Sequence, residues 1–188
     1  MKMKRCILDH HLRCFFLLVA LFFGAISLAQ EKAQPISIRI ETLKDVARAS
    51  LLDSNAVWFG CDVGQQSSTE NGLMTPRLFD YESLYGMDFS LSRKELFETY
   101  SSIPTHNMVF TGIDIDKGKV KKWLVENSWG DASGKKGYLF MLDDWFDSYV
   151  QVVVVNKRYL APSILALFQT AAEILPPWDP MVKVLNME

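Results

Sequence analysis

The chain is 188 residues long, 49% hydrophobic, and carries a formal net charge of −2. Its charges are interspersed, which gives no electrostatic footprint for nucleic acid or for an anionic membrane surface. The length suffices for one domain with a real core.

Lys2, Lys4, Arg5 and Arg13 precede an apolar run from Cys14 to Ile26, and Ser27-Leu28-Ala29 follows as a cut point. This predicts a secretory signal peptide over residues 1–29, cleaved after Ala29, and export to the periplasm or the medium. The run is shorter than the roughly 20 residues of a membrane span, so no stable span is expected after cleavage; an uncleaved leader would anchor the chain. His10, His11, Cys6 and Cys14 all fall in the leader. The product, residues 30–188, then holds Cys61 as its single thiol and forms no internal disulfide.

Gln30–Ser37 reads as a polar connector, and Ile38 and Ile40 as a short strand. Leu43, Val46, Ala47, Ala49 and Leu51 mark an amphipathic helix over Thr42–Asp53, and Ala56–Val63 reads as a buried strand. Gln65–Gly72 is a polar loop, and Leu78–Leu91 is mixed, with aromatics around Gly86. Ser92 and Glu95 have the spacing of a capping box, which predicts a short helix to about Tyr100.

The organising stretch runs from Pro104 to Gly130. Two strand patterns, Pro104–Gly112 and Lys122–Gly130, flank the turn-forming residues Asp114–Lys119, so the segment reads as a hairpin. His106 opens the first strand and Asn127 closes the second. Antiparallel pairing brings these outer ends together. A catalytic imidazole needs one fixed tautomer, and an amide oxygen behind the ring fixes it without adding a charge. Trp129 then shields that hydrogen bond from water. By pattern alone, a lone histidine at a strand end beside an asparagine is more often structural than catalytic.

Asp114-Ile115-Asp116-Lys117-Gly118 opens like a calcium loop but lacks the third ligand and the closing glutamate, so it reads as a solvated turn. Gly134–Gly137 lacks phosphate-loop spacing and reads as another turn. Gly137–Met141 and Val150–Val155 are strand patterns around a helical or turn segment over Asp143–Tyr149, with Trp145 and Phe146 as packing anchors. Pro162 starts a helix with Ile164, Leu165, Leu167 and Phe168 on its apolar face, and Pro176-Pro177 stops it.

The stretches THNMVFTG from Thr105, WLVENSWG from Trp123 and KKGYLFMLDDWFDSYVQVVVVNKRYL from Lys135 resemble the C-terminal part of the bleomycin hydrolase and aminopeptidase C family of papain-like cysteine peptidases. AVWFGCDVGQ, LFDYESLYGMDFSLS and ILPPWDPM extend the resemblance over nearly everything after the leader. It implies that His106 matches the catalytic histidine, Asn127 its orienting asparagine and Trp129 the shielding aromatic. The implied fold is α+β, the strand-rich, histidine-bearing half of a papain-like fold, with an antiparallel sheet and a few flanking helices.

The implied activity is cysteine-type aminopeptidase action on short peptides, with no metal or organic cofactor. The family assembles as homohexamers, but the contacts missing here weigh against a hexamer, and its C-terminus lies in the cleft as a ruler. This chain runs on through Val182–Glu188. The family's nucleophile heads a long helix, about 130 residues or more before the histidine. Cys61 sits in a strand pattern, much nearer to His106, and reads as a buried structural thiol. No glutamine is followed at short range by a Cys-Trp pair. The chain is therefore expected to be a truncated or split form, inactive alone, needing a complementing N-terminal half. The alternative is a non-catalytic exported fragment or binding module.

Overall fold

A computed structural model describes residues 4–5, 38–171 and 174–179. Apart from Lys4–Arg5, the expected leader lies outside the described residues, as do the connector over 30–37 and the tail from Pro180.

The first long element is α1 (Ile40–Leu52), not a strand followed by a helix. Leu43, Val46, Ala47 and Leu51 recur at helical spacing and are buried, and burying that stripe outweighs the strand preference of Ile38 and Ile40. Strand β2 (Val57–Cys61) follows. Short strands β3 (Ser67–Ser68) and β4 (Leu73–Met74) and short helices α2 (Tyr81–Tyr85) and α3 (Arg93–Glu98) lead to the hairpin. The expected capping box is present on α3: the Glu95 amide donates to Ser92 Oγ, and the Ser92 amide donates to Glu95 Oε2 at 2.7 Å.

Strands β5 (His106–Asp116) and β6 (Lys119–Glu126) pair antiparallel around a two-residue turn. Lys117 and Gly118 both have positive φ, 48° and 80°, the requirement of the tight turn that matches strand twist. The connection is thus shorter than the Asp114–Lys119 the sequence suggested. Asp114 stays in β5, buried, with Lys122 Nζ at 3.5 Å from its carboxylate, so it is not a solvated turn residue.

Strand β7 (Tyr138–Leu142), α4 (Asp143–Tyr149) and β8 (Val150–Val154) complete the sheet, and α5 (Pro162–Leu167) follows. Helix α5 ends well before Pro176, so the proline pair does not terminate it. The strand order is β3-β4-β7-β6-β5-β2-β8, and β1 (Lys4–Arg5) pairs with β5 at Ile113 and Gly112. One pair, β4 with β7, is parallel, a departure from the all-antiparallel expectation. It arises because the polar loop after β2 folds into the β3–β4 hairpin, and Gly72 then accepts the Phe140 amide at 2.8 Å.

The core lies between α1, α4 and one face of this sheet. Phe59 stacks on Phe110 with centroids 3.7 Å apart, and Trp123 and Phe146 pack on Phe110 at 5.0 and 5.5 Å. Each such buried ring contributes about 1.5–3 kcal/mol relative to exposure. Both buried indoles keep a partner: Trp123 Nε1 donates to Asp143 Oδ1 and Trp145 Nε1 to Gln65 O. Trp145 and Phe146 are fully buried, as packing anchors should be.

Candidate active site

His106 is the first residue of β5, half-buried at the rim of the core. The segment that delivers it is held by β2 and the residue after it. The Thr105 amide donates to Cys61 O at 2.9 Å. The buried Asp62 carboxylate accepts the Ile103 amide and the Thr105 hydroxyl, each at 3.3 Å. Thr105 Oγ1 in turn accepts the Val63 amide at 3.2 Å. These bonds fix the direction in which the chain enters β5.

Asn127 directly follows β6, and its amide donates to Gly137 O at 3.0 Å. Its side chain is buried, with Oδ1 3.0 Å from His106 Nε2. The Ser128 amide donates to the same oxygen at 2.7 Å. An N–H donor requires an acceptor, so this bond settles which end of the carboxamide is oxygen. His106 Nε2 must then carry hydrogen and donate, which leaves Nδ1 as the basic nitrogen. Asn127 Nδ2 is buried and has no hydrogen-bond partner among the described residues.

Trp129 stacks on the imidazole with centroids 4.7 Å apart and ring planes 29° apart. It is 49% exposed, so it covers one face of His106 while keeping its own outer face in water. The three residues singled out in the sequence therefore meet in space.

Cys61 is set apart from them by its burial. It is the cross-strand partner of His106 on β2, yet its thiol is fully buried. Burial, and then the neighbouring Asp62 carboxylate, push its pKa far up, away from the thiolate. It lies in a strand rather than at a helix N-terminus.

An imidazole backed by an amide oxygen and faced by an indole is an arrangement able to hold and return a proton. The Peptidase C1-like family model matches residues 22–182. The chain belongs to that family.

Bleomycin hydrolase from Homo sapiens is 42% identical over 146 residues, covering 76% of this chain and 32% of the human protein. Aminopeptidase C from Lactococcus lactis subsp. cremoris is 38% identical over 152 residues, 80% of this chain and 35% of that protein. The crystal structure of PepW from Lactobacillus rhamnosis superposes with a TM-score of 0.74 at 39% identity, covering 77% of this chain and 33% of that one. This member of the Peptidase C1-like family thus spans about a third of the length of these relatives.

The sequence reading missed Asp62, Thr105 and Ser128. Asp62 and Thr105 hold the backbone ahead of His106, and Ser128 acts through its amide, which no side-chain pattern reveals. The one available signal for Asp62 was an acidic residue directly after an apolar strand.

Proposed function

We propose that this chain carries the histidine–asparagine half of a cysteine-type aminopeptidase site acting on short peptides, with the attacking thiol supplied by the equivalent of its relatives' N-terminal half. The observation that carries the reading is the His106–Asn127 pair, oriented by the Ser128 amide. Names of relatives such as Aminopeptidase C support the reaction class.

In this reading the thiol's proton resides on His106 Nδ1, giving a thiolate and an imidazolium. The thiolate sulfur attacks the scissile carbonyl carbon, and Nδ1–H protonates the departing amine as the C–N bond breaks. Nδ1 then takes a proton from water, whose oxygen attacks the thioester; the acid leaves and the thiolate returns. Asn127 Oδ1 holds Nε2–H throughout, and Trp129 places its π-face against the ring in its charged state, worth about 0.5–1 kcal/mol at an exposed site. No metal or organic cofactor enters this sequence of steps.

The Tyr100 hydroxyl donates to Trp178 O, which ties residues 174–179 to the segment ahead of His106. Residues 1–29 act as an export leader, and mass spectrometry of the exported chain tests this by an N-terminus at Gln30.

The chain alone is inactive in this proposal, because nucleophile and base act as a unit. The inaccessibility of Cys61 also favours a second reading, a non-catalytic exported module. The two separate in one assay. The full chain is mixed with the part of Lactococcus Aminopeptidase C that precedes the matched region, and hydrolysis of a fluorogenic aminoacyl amide is followed. Turnover in the mixture that His106→Ala abolishes supports the peptidase; no turnover in any mixture supports the module.

A further inference from the structure

Between β4 and α3 the chain presents a surface that neither the core nor the His106 site uses. Phe79, Tyr81, Leu84, Tyr85, Phe89 and Leu91 are all exposed, Leu84 by 69% and Tyr85 by 64%. The rings pack on one another rather than on the core: Tyr85 meets Phe89 edge-on at 5.6 Å, and Tyr81 lies 6.1 Å from Phe79 and 6.4 Å from Phe89. Asp80 caps α2 through the Ser83 amide and Gly86 closes it in the left-handed region, so the cluster sits on a built turn. Contiguous exposed aromatics of this kind mark association sites.

The surface is joined to the candidate site. Gln66 grips Phe79 from both sides, accepting its amide at 2.9 Å and donating to its carbonyl at 3.4 Å. Its neighbour Gln65 donates to Ser101 O at 3.2 Å, in the segment that delivers His106. The loop after β2 therefore connects the aromatic cluster to the imidazole. Residues 79–91 themselves hold Asp80, Glu82 and Asp88 and no lysine or arginine, while Arg77, Arg93 and Lys94 flank them.

We propose that Phe79–Leu91 is the docking surface for the cysteine-bearing part of the fold, which meets it with an apolar patch rimmed by basic side chains. The inference rests on the reading that the thiol comes from outside this chain's described residues. It is favoured over other occupants because the relatives carry about twice as much further chain as is matched here, and because the surface abuts the segment leading to His106.

The test measures binding of the full chain to the preceding part of Lactococcus Aminopeptidase C by sedimentation velocity and titration. Leu84→Ser with Phe89→Ser is expected to weaken binding at least tenfold, and Glu82→Lys to weaken it and flatten its salt dependence. Trp58→Ser, at a residue outside the cluster that is 63% exposed, leaves binding unchanged. Binding indifferent to both the serine and the lysine variants overturns the proposal, as does no binding of the wild-type chain. Self-association of the chain lost in the serine variant, without binding of the probe, also overturns it in favour of a second copy. Cluster-dependent binding without hydrolysis supports the docking surface and sinks the peptidase reading instead.

Discussion

Cys61 and His106 face each other across the β2–β5 ladder, and the pairing separates their fates: the thiol is sealed in the core while the imidazole reaches the rim. Burial and the Asp62 carboxylate raise the thiol's pKa in the folded state. Its contribution to stability is therefore fully present below the unfolded value of about 8.5 and is lost as pH rises beyond it. Cys61 is expected to resist iodoacetamide until the chain unfolds. Urea midpoints at neutral and alkaline pH should show a steeper alkaline loss in the wild type than in Cys61→Ala.

Asn127→Ala removes the acceptor that holds His106 Nε2–H. A hydrogen bond to a charged group is worth about 1.5–3 kcal/mol, which corresponds to roughly 10- to 100-fold in kcat of the reconstituted enzyme. Nitrogen chemical shifts of labelled His106 should show the Nε2–H tautomer in the wild type and a mixture in the variant. An unchanged tautomer would argue that Asn127 only packs.

The hairpin was legible because the turn-forming residues Asp114–Lys119 separate two strand patterns, and antiparallel pairing brings the outer ends that carry His106 and Asn127 together. The capping box on α3 was legible for the same local reason. The parallel β4–β7 pair was not, since two-residue strands carry no period and their partner is fixed by long-range contacts. Asp62 escaped notice because its role depends on where residues 103–105 return in space. Ile38 and Ile40 misled because tertiary burial of the α1 stripe overrode local preference.

Asp62→Ala leaves the Ile103 amide and the Thr105 hydroxyl without their acceptor in a part-buried place. A loss of at least about 1–3 kcal/mol in unfolding free energy is expected. Asp62→Asn keeps one acceptor oxygen and should recover part of it. Chemical denaturation of the three proteins checks the order.

Gly134 donates its amide to Thr69 O and has φ of +60°, and a Cβ there would lie 2.4 Å from Tyr138 O. Gly134→Ala must therefore move the β7 backbone. Its cost should exceed the roughly 1 kcal/mol expected for Gly118→Ala, where positive φ is the only obstacle and no atom lies within 4 Å. Thermal melts of the two variants should show the larger drop for Gly134→Ala.

In the proposed reaction this chain supplies His106 as base and Asn127 as its orienting amide, and another polypeptide supplies the nucleophile. The most direct measurement is intact mass of both polypeptides after a thiol-directed epoxide is added to the active mixture. The account predicts one adduct on the added cysteine-bearing polypeptide, formed at the rate at which turnover disappears, and none on Cys61. A single adduct on Cys61, with loss of activity from this chain alone, would contradict it.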